Sequence, residues 1–158
     1  MKIEEAADAA LVRLMREADL AAVVTIDAAS SGRQRPEYFR SMLQRALIGS
    51  GLQISLVAET DGRVSGFLVA SLYYGEYGVA EPSASIDAIG VAPERRHHGL
   101  ATALMRQLLL NLGAIRIDVI RTEVEWDDFD LLAFLHASGF RPARRICLER
   151  RVDPTEPL

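Results

Sequence analysis

The chain has 158 residues and a formal net charge of −4, with 49% apolar and 25% charged residues, which is the composition of one globular domain. The acidic balance argues against a general binder of the nucleic-acid backbone, and one cysteine with three histidines is too few for a disulfide or a zinc module. No apolar run approaches the ~20 residues that cross a bilayer, and the acidic N-terminus lacks the plan of a signal peptide. We therefore expect a cytoplasmic protein with no membrane segment and no metal site.

The first half of the chain alternates between strand and helix patterns. A short strand is predicted at 11–15, a helix at 18–28, and a second helix from Pro36 to about Ile48. Residues 52–59 and 63–74 have strand patterns, and Asp61-Gly62 between them is a strong signal for a type I′ turn. This half therefore predicts an antiparallel hairpin after two helices.

The second half predicts a βαβ unit. A strand is predicted at 85–91, a helix at 98–112 that Gly113 ends, and a strand at 115–124. Because a helix joins the two strands, they should be parallel near neighbours. A helix at 128–138 ended by Gly139 and a closing strand at 142–150 with a buried Cys147 complete the chain. We expect a single domain over 1–158, of the α/β (α+β) class, with a mixed sheet and helices on it.

The segment 91–113 carries the chemical signal. A strand ends at Pro93, basic residues follow, and Gly99 introduces the clearest amphipathic helix. The first turn of a helix has amide N–H groups without intrahelical partners, and with the helix dipole these bind anions. A glycine lets a large anion approach the backbone. The chain has no P-loop signature, and no GxGxxG motif follows an early strand. The segment therefore predicts a different phosphate or pyrophosphate loop.

The six residues from Arg96 to Ala101, Arg-His-His-Gly-Leu-Ala, match the pattern Arg/Gln-x-x-Gly-x-Gly/Ala. With Val91-x-Pro93 before it and the helix after it, the chain resembles the GCN5-related N-acetyltransferases (GNAT) over roughly residues 10–150. The resemblance implies a mostly antiparallel mixed sheet with helices on both faces and a central βαβ cofactor unit. It implies acetyl-CoA as co-substrate, acetyl transfer to a primary amine of a small molecule, peptide or protein N-terminus by direct attack in a ternary complex, and compatibility with a homodimer.

The resemblance also implies which residues contact the cofactor. Pyrophosphate would lie on the backbone of 96–101, pantetheine along the strand before the loop, and a further contact would come from an aspartate where the family often has asparagine. The cofactor set is Ile89, Gly90, Val91, Arg96, His97, His98, Gly99, Leu100, Ala101 and Asp128. Leu135 stands where many members have a tyrosine general acid. Because leucine donates no proton, an acyl-CoA-binding regulatory module without efficient catalysis is the alternative.

Acetyl transfer needs a base for the amine and a donor that polarises the thioester carbonyl. Two carboxylates qualify. Glu123 aligns with the catalytic glutamate of ribosomal-protein alanine acetyltransferases and is preferred, and Asp87 lies on the strand before the loop. One of Tyr73, Tyr74 and Tyr77, with Tyr73 as the first candidate, could substitute for the missing proton donor. The candidate acceptor site is formed by Tyr38, Tyr74, Glu76 and Tyr77, whose rings and carboxylate suit a cationic amine.

Overall fold

The computed structural model describes residues 10–49, 53–75, 78 and 80–155, with the backbone alone for 46–49. The chain forms two compact units, Met1–Glu125 and Trp126–Leu158. None of the helices in the described ranges has both the length and the apolar character of a membrane span.

The first unit contains five strands and three α-helices among its described residues. In chain order they are β1 (Leu11–Leu14), α1 (Leu20–Ser31), α2 (Pro36–Gly49), β2 (Leu56–Thr60), β3 (Arg63–Tyr73), β4 (Ser83–Val91), α3 (Leu100–Ala114) and β5 (Ile120–Thr122), with short 3₁₀ turns at Glu17–Asp19 and Pro93–Arg95. The strands form one sheet in the order β1-β2-β3-β4-β5. The first three pairings are antiparallel and β4–β5 is parallel, as the sequence predicts.

The β2–β3 hairpin follows from its two turn residues. Asp61 has φ of 53° and Gly62 has φ of 71°, as a type I′ turn requires. β2 starts later than predicted, at Leu56 rather than at residue 52, which lies outside the described residues. The reason is Ser55, whose hydroxyl rather than backbone bonds to both the N–H and the C=O of Ala70.

Helices cover both faces of the sheet, as expected. Phe67 packs in a buried cluster with Val23 and Ile26 of α1 and Phe39 of α2. Successive strand residues point to opposite faces, and a Cβ built on the preceding Gly66 would lie 3.3 Å from Leu104 Cδ1 of α3. Each large apolar side chain buried in these layers contributes about 2 kcal/mol.

The end of α3 corrects two predictions. The helix runs through Gly113 to Ala114, and the left-handed residue that ends it is Arg116, with φ of 60°. The Ile117 N–H donates to Leu112 O at 3.0 Å and the Arg116 N–H to Gly113 O at 3.1 Å, which is a Schellman motif. Because this turn uses the chain up to Ile117, the strand predicted at 115–124 shortens to β5, residues 120–122.

The second unit contains α4 (Phe129–Ala137). Its C-terminal turn is also a Schellman motif, with Gly139 at φ of 93° as predicted and the Phe140 N–H donating to Leu135 O at 3.0 Å. The strand predicted at 142–150 is not formed, and Cys147 is exposed rather than buried. An alternating pattern becomes a strand only where a ladder forms along it.

Candidate active site

The chain between β4 and α3 turns sharply at two residues. His97 has φ of 64° and Gly99 has φ of 77°, both in the left-handed region. The His98 imidazole Nδ1 lies 2.8 Å from Arg96 O and closes the turn from the side. Gly99 is the N-cap residue of α3, and no side chain caps the helix. The sequence therefore forms an open loop immediately before the positive end of a helix dipole.

Six consecutive backbone N–H groups of this loop, those of residues 97–102, have no acceptor in the described part of the chain. The preceding amides of Arg95 and Arg96 donate to Ala92 O and Pro93 O, and the next bonded amide is that of Ala103, which donates to Gly99 O at 2.9 Å. Successive free amides in such a turn form a concavity that binds anions. We call residues 97–102 the amide loop.

The two arginines that precede the amide loop bond to other parts of the first unit. Arg96 donates to Ser30 Oγ at the end of α1 at 2.9 Å. Arg95 pairs with Asp61 Oδ2 of the hairpin turn at 2.7 Å. His97 is exposed like His98, Leu100 is buried and Ala101 is half-buried. No three side chains among the described residues are arranged to hold a metal ion.

β4 approaches the loop with one edge open. On the β3 side it is paired along its length, and Gly66, Phe67 and Leu68 lie opposite Val91, Gly90 and Ile89. On the β5 side, pairing covers Ala84, Ser85 and Ile86, and the last rung joins Ile86 to Thr122. Beyond this rung the described sheet has no strand beside β4, so the backbone of 87–91 has no strand partner on this side.

Gly90 and Asp87 occupy special positions on this strand. A Cβ at Gly90 would lie 2.6 Å from Phe67 Cε1, so no larger residue fits without displacing that ring. Ile86 and Ala88 lie opposite the adjacent residues Ala70 and Val69, which makes Asp87 the extra residue of a β-bulge. Bulges turn side chains to new directions and occur next to active sites.

The two candidate bases lie one residue beyond the last β4–β5 rung, Asp87 on β4 and Glu123 after β5. Asp87 is half-buried, and its Oδ2 accepts a hydrogen bond of 2.5 Å from the Ser71 hydroxyl. Glu123 is exposed, and it makes no hydrogen bond or ion pair with the residues that the structure describes. The structure thus places both residues where β4 and β5 stop pairing.

The tyrosines proposed for the acceptor and for proton donation are more dispersed. Tyr73 ends β3 and lies opposite Ser83 of β4. Because Ser83 precedes Asp87 by four residues, Tyr73 is displaced from Asp87 by about 13 Å along the strand direction. Tyr74 follows it and is 65% exposed. Glu76 and Tyr77 lie outside the described residues.

Tyr38 lies on α2, with the Arg35 guanidinium 5.0 Å from its ring centre. Arg35 also forms two hydrogen bonds to Asp27, which raise the pKa of the guanidinium above its usual value. Tyr38 is thereby held at the surface, where 38% of it is exposed.

Asp128 and Leu135 belong to the second unit. The Asp128 carboxylate accepts a hydrogen bond of 3.1 Å from the Leu131 N–H and so caps α4. Leu135 is buried, with 5% of its surface exposed. The cap is a structural role for Asp128, and its cofactor contact stays a prediction.

Sequence reasoning missed the hydroxyls of Ser71 and Thr122. Thr122 Oγ1 donates to Ile86 O at 3.0 Å, at the rung where β4 and β5 separate. Nothing local in the sequence marks either residue, because the bulge and the separation exist only once three strands are aligned.

Comparison with known proteins gives one family. The model of the acetyltransferase (GNAT) family matches residues 19–140. No protein of curated function matches the chain.

Solved structures show the same fold at low sequence identity. The aminoglycoside 6'-N-acetyltransferase AAC(6')-Ih from Acinetobacter baumannii is 20% identical, with a TM-score of 0.75, over 91% of this chain and 99% of that one. AAC(6')-Iy in complex with CoA is 19% identical, with a TM-score of 0.74, over 90% and 94%. Ribosomal-protein-alanine N-acetyltransferase from Brucella melitensis biovar Abortus 2308 is 17% identical, with a TM-score of 0.70, over 92% and 100%.

Proposed function

Because this chain belongs to the acetyltransferase (GNAT) family, whose co-substrate is acetyl-CoA, we propose that it acetylates a primary amine by direct attack within a ternary complex. We further propose that residues 1–158 act as one acetyltransferase domain, since the family match at 19–140 includes parts of both compact units.

The single observation that carries the proposal is the set of six free amides at 97–102. A diphosphate accepts several N–H donors at once and is favoured by the helix dipole of α3. The open edge of β4 over Ile89–Val91 offers backbone groups to the amide-containing arm of the cofactor. The residues present therefore fit coenzyme A.

We propose Glu123 as the base, because Asp87 already accepts a hydrogen bond from Ser71 whereas Glu123 has no such partner among the described residues. The base takes a proton from the ammonium, the amine nitrogen then bonds to the thioester carbonyl carbon, and the C–S bond breaks to release the CoA thiolate. The second proton of the nitrogen passes to the departing thiolate, directly or through solvent, which gives the amide and the CoA thiol. The thiolate is a fair leaving group, so Leu135 in place of a proton donor is compatible with turnover. The distance of Tyr73 from Asp87 along the sheet favours a role for Tyr73 on the acceptor side.

The proposed acceptor class, a cationic amine, rests on the exposed rings of Tyr38 and Tyr74. Tyr38, Tyr74, Glu76 and Tyr77 stay proposals as its contacts. Aromatic faces attract cationic amines, and the structural neighbours include enzymes named for aminoglycosides and for a protein N-terminal alanine. The first two acceptors to test are therefore sisomicin, which a further neighbour binds, and a peptide that begins with alanine.

Two measurements test the proposal together. Coenzyme A at 100 times its Kd should stabilise the fold by about 2.7 kcal/mol, which a thermal-shift titration detects. Release of CoA thiol from acetyl-CoA should then depend on the added amine. Binding without amine-dependent thiol release across a broad amine panel would favour the regulatory module, and absence of binding would refute both functions.

Glu123→Gln should lower kcat about 100-fold, because a general base contributes that factor or more, and should leave CoA affinity unchanged. Asp87→Asn is the matched variant on the neighbouring strand. If Glu123→Gln keeps full turnover while Asp87→Asn loses it, Asp87 is the base instead.

A further inference from the structure

Three side-chain hydroxyls make hydrogen bonds at or next to the bulge of β4. Thr122 Oγ1 donates to Ile86 O at 3.0 Å, and Ser71 Oγ donates to Asp87 Oδ2 at 2.5 Å. The fully buried Ser55 bonds through its hydroxyl to both backbone groups of Ala70, at 3.1 and 3.2 Å. Ala70 is the β3 residue opposite Ile86, so all three hydroxyls act on the same short piece of sheet.

Thr122 contacts β4 from the β5 side. Its hydroxyl binds the carbonyl of the last β4 residue that pairs with β5. The Thr122 side chain thus donates to a carbonyl that would accept from a backbone N–H if the parallel ladder continued. The two strands are therefore joined at this rung and separate immediately after it.

Ser71 acts on the opposite side, from β3. The extra residue of a bulge has no partner across the ladder, so the direction of its side chain depends on other contacts. The Ser71 hydroxyl supplies that contact for Asp87. Ser55 in turn ties Ala70 to the end of the chain that precedes β2.

We propose that Thr122 and Ser71 are positioning residues for acetyl transfer. They hold the β4 bulge from its two sides, and this keeps the backbone of Ile89–Val91 in register with the cofactor arm beside it. Neither hydroxyl is assigned contact with the reacting atoms. The inference rests on the proposed function, because it concerns the cofactor edge of the same site.

The test compares two threonine-to-valine changes. Thr122→Val keeps the side-chain shape and removes the hydroxyl, and it should weaken CoA binding about tenfold in calorimetry, in line with the loss of one well-placed hydrogen bond. Thr25→Val is the matched control, because the Thr25 hydroxyl also donates to a backbone carbonyl, that of Ala21 at 2.9 Å, but on an exposed part of α1. It should leave CoA affinity unchanged. Thr122→Ser, which restores the hydroxyl, should return the affinity to within about twofold of the wild type.

Ser71→Ala tests the contact that holds the bulge from the β3 side. This variant tests the inference by itself if Thr122→Val does not fold. It should weaken CoA binding about fivefold. In steady-state kinetics both variants should raise KM for acetyl-CoA more than KM for the amine, a split that a general loss of stability does not produce. CoA affinities equal to that of Thr25→Val in both folded variants would overturn the inference. Thiol release by the wild-type chain reports on the proposed function independently of this result.

Discussion

Polar groups are paired with one another at the corner between β1 and β2, whereas those of the amide loop after β4 are not. At the corner, Arg13 donates to both carboxylate oxygens of Asp19 at 2.8 Å and to Glu59 at 2.6 Å and 2.8 Å. The Arg16 N–H adds a further bond to Asp19 at 2.7 Å. In the loop, six amides at 97–102 have no acceptor in the described chain.

This contrast separates stability from function within one unit. Buried or half-buried charges that satisfy one another hold β1, the 3₁₀ turn and β2 together. Donors that the fold leaves free are available to a ligand, and they lie at a helix N-terminus where an anion is favoured. Changes at the corner should therefore alter the free energy of unfolding without altering CoA binding, and changes in the loop should do the reverse.

The largest effect is expected for Ala101→Glu. A carboxylate in the first turn of α3 should stabilise the helix by about 0.5 kcal/mol through the dipole but repel the diphosphate, so the Kd for CoA should rise at least about 100-fold. Ala101→Gln is the control of equal size without charge. Calorimetry and urea denaturation of both variants measure the two effects, and equal CoA affinity of the two variants would contradict the electrostatic account.

Asp19→Asn should lower the stability of the fold and leave CoA binding unchanged, the reverse of Ala101→Glu. The amide cannot replace an ionised acceptor of three hydrogen bonds beside Arg13, so the free energy of unfolding should fall by about 2 kcal/mol. Urea denaturation at neutral pH measures this loss, and the Kd for CoA of the folded variant should match the wild type. A raised Kd with unchanged stability would show that the corner serves the site instead.

The same corner predicts a dependence on pH. The hydrogen bonds from Arg13 hold the pKa of Asp19 below its usual range, so the folded protein binds this proton less readily than the unfolded chain. The resulting stability is complete above the ordinary carboxyl pKa of about 4 and is lost as the pH falls through the depressed pKa. The stability difference between wild type and Asp19→Asn should therefore shrink as the pH falls below about 4. A difference that stays constant in urea titrations across this range would assign the loss to packing.

Asp61→Asn should have the smallest effect. The Arg95–Asp61 pair is exposed, with 41% and 82% of the two side chains accessible, and exposed pairs contribute less than about 1 kcal/mol. Asparagine also tolerates the left-handed turn conformation. Both the unfolding free energy and the Kd for CoA should stay within error of the wild type, and a large change in Kd would extend the site to the hairpin.

The sequence could predict the features that a few neighbouring residues determine. The Asp61-Gly62 turn, the end of α4 at Gly139 and the loop before α3 all depend on local conformation, and the structure confirms them. The end of α3 was mispredicted because Arg116, a residue with no preference for positive φ, takes the place that a glycine usually holds.

The centre of the site depended on long-range register and could not be predicted in detail. The sequence offers Asp87 on the strand before the loop and, through the resemblance, Glu123 at the end of the next strand, but the bulge and the last rung at Ile86–Thr122 arise only when β3, β4 and β5 align. The hydroxyls of Ser71 and Thr122 were missed for the same reason, since serine and threonine are common in strands and nothing beside them in the sequence signals a role.

Binding of the diphosphate at the amide loop can be observed directly by NMR. Amide chemical shifts of the ¹⁵N-labelled chain should be recorded during titration with coenzyme A and, separately, with pantetheine, which lacks the diphosphate. Coenzyme A should shift the amides of residues 97–102 strongly, and pantetheine should leave them in place. Saturation of the protein with coenzyme A while these amides stay unshifted would show that the diphosphate binds elsewhere.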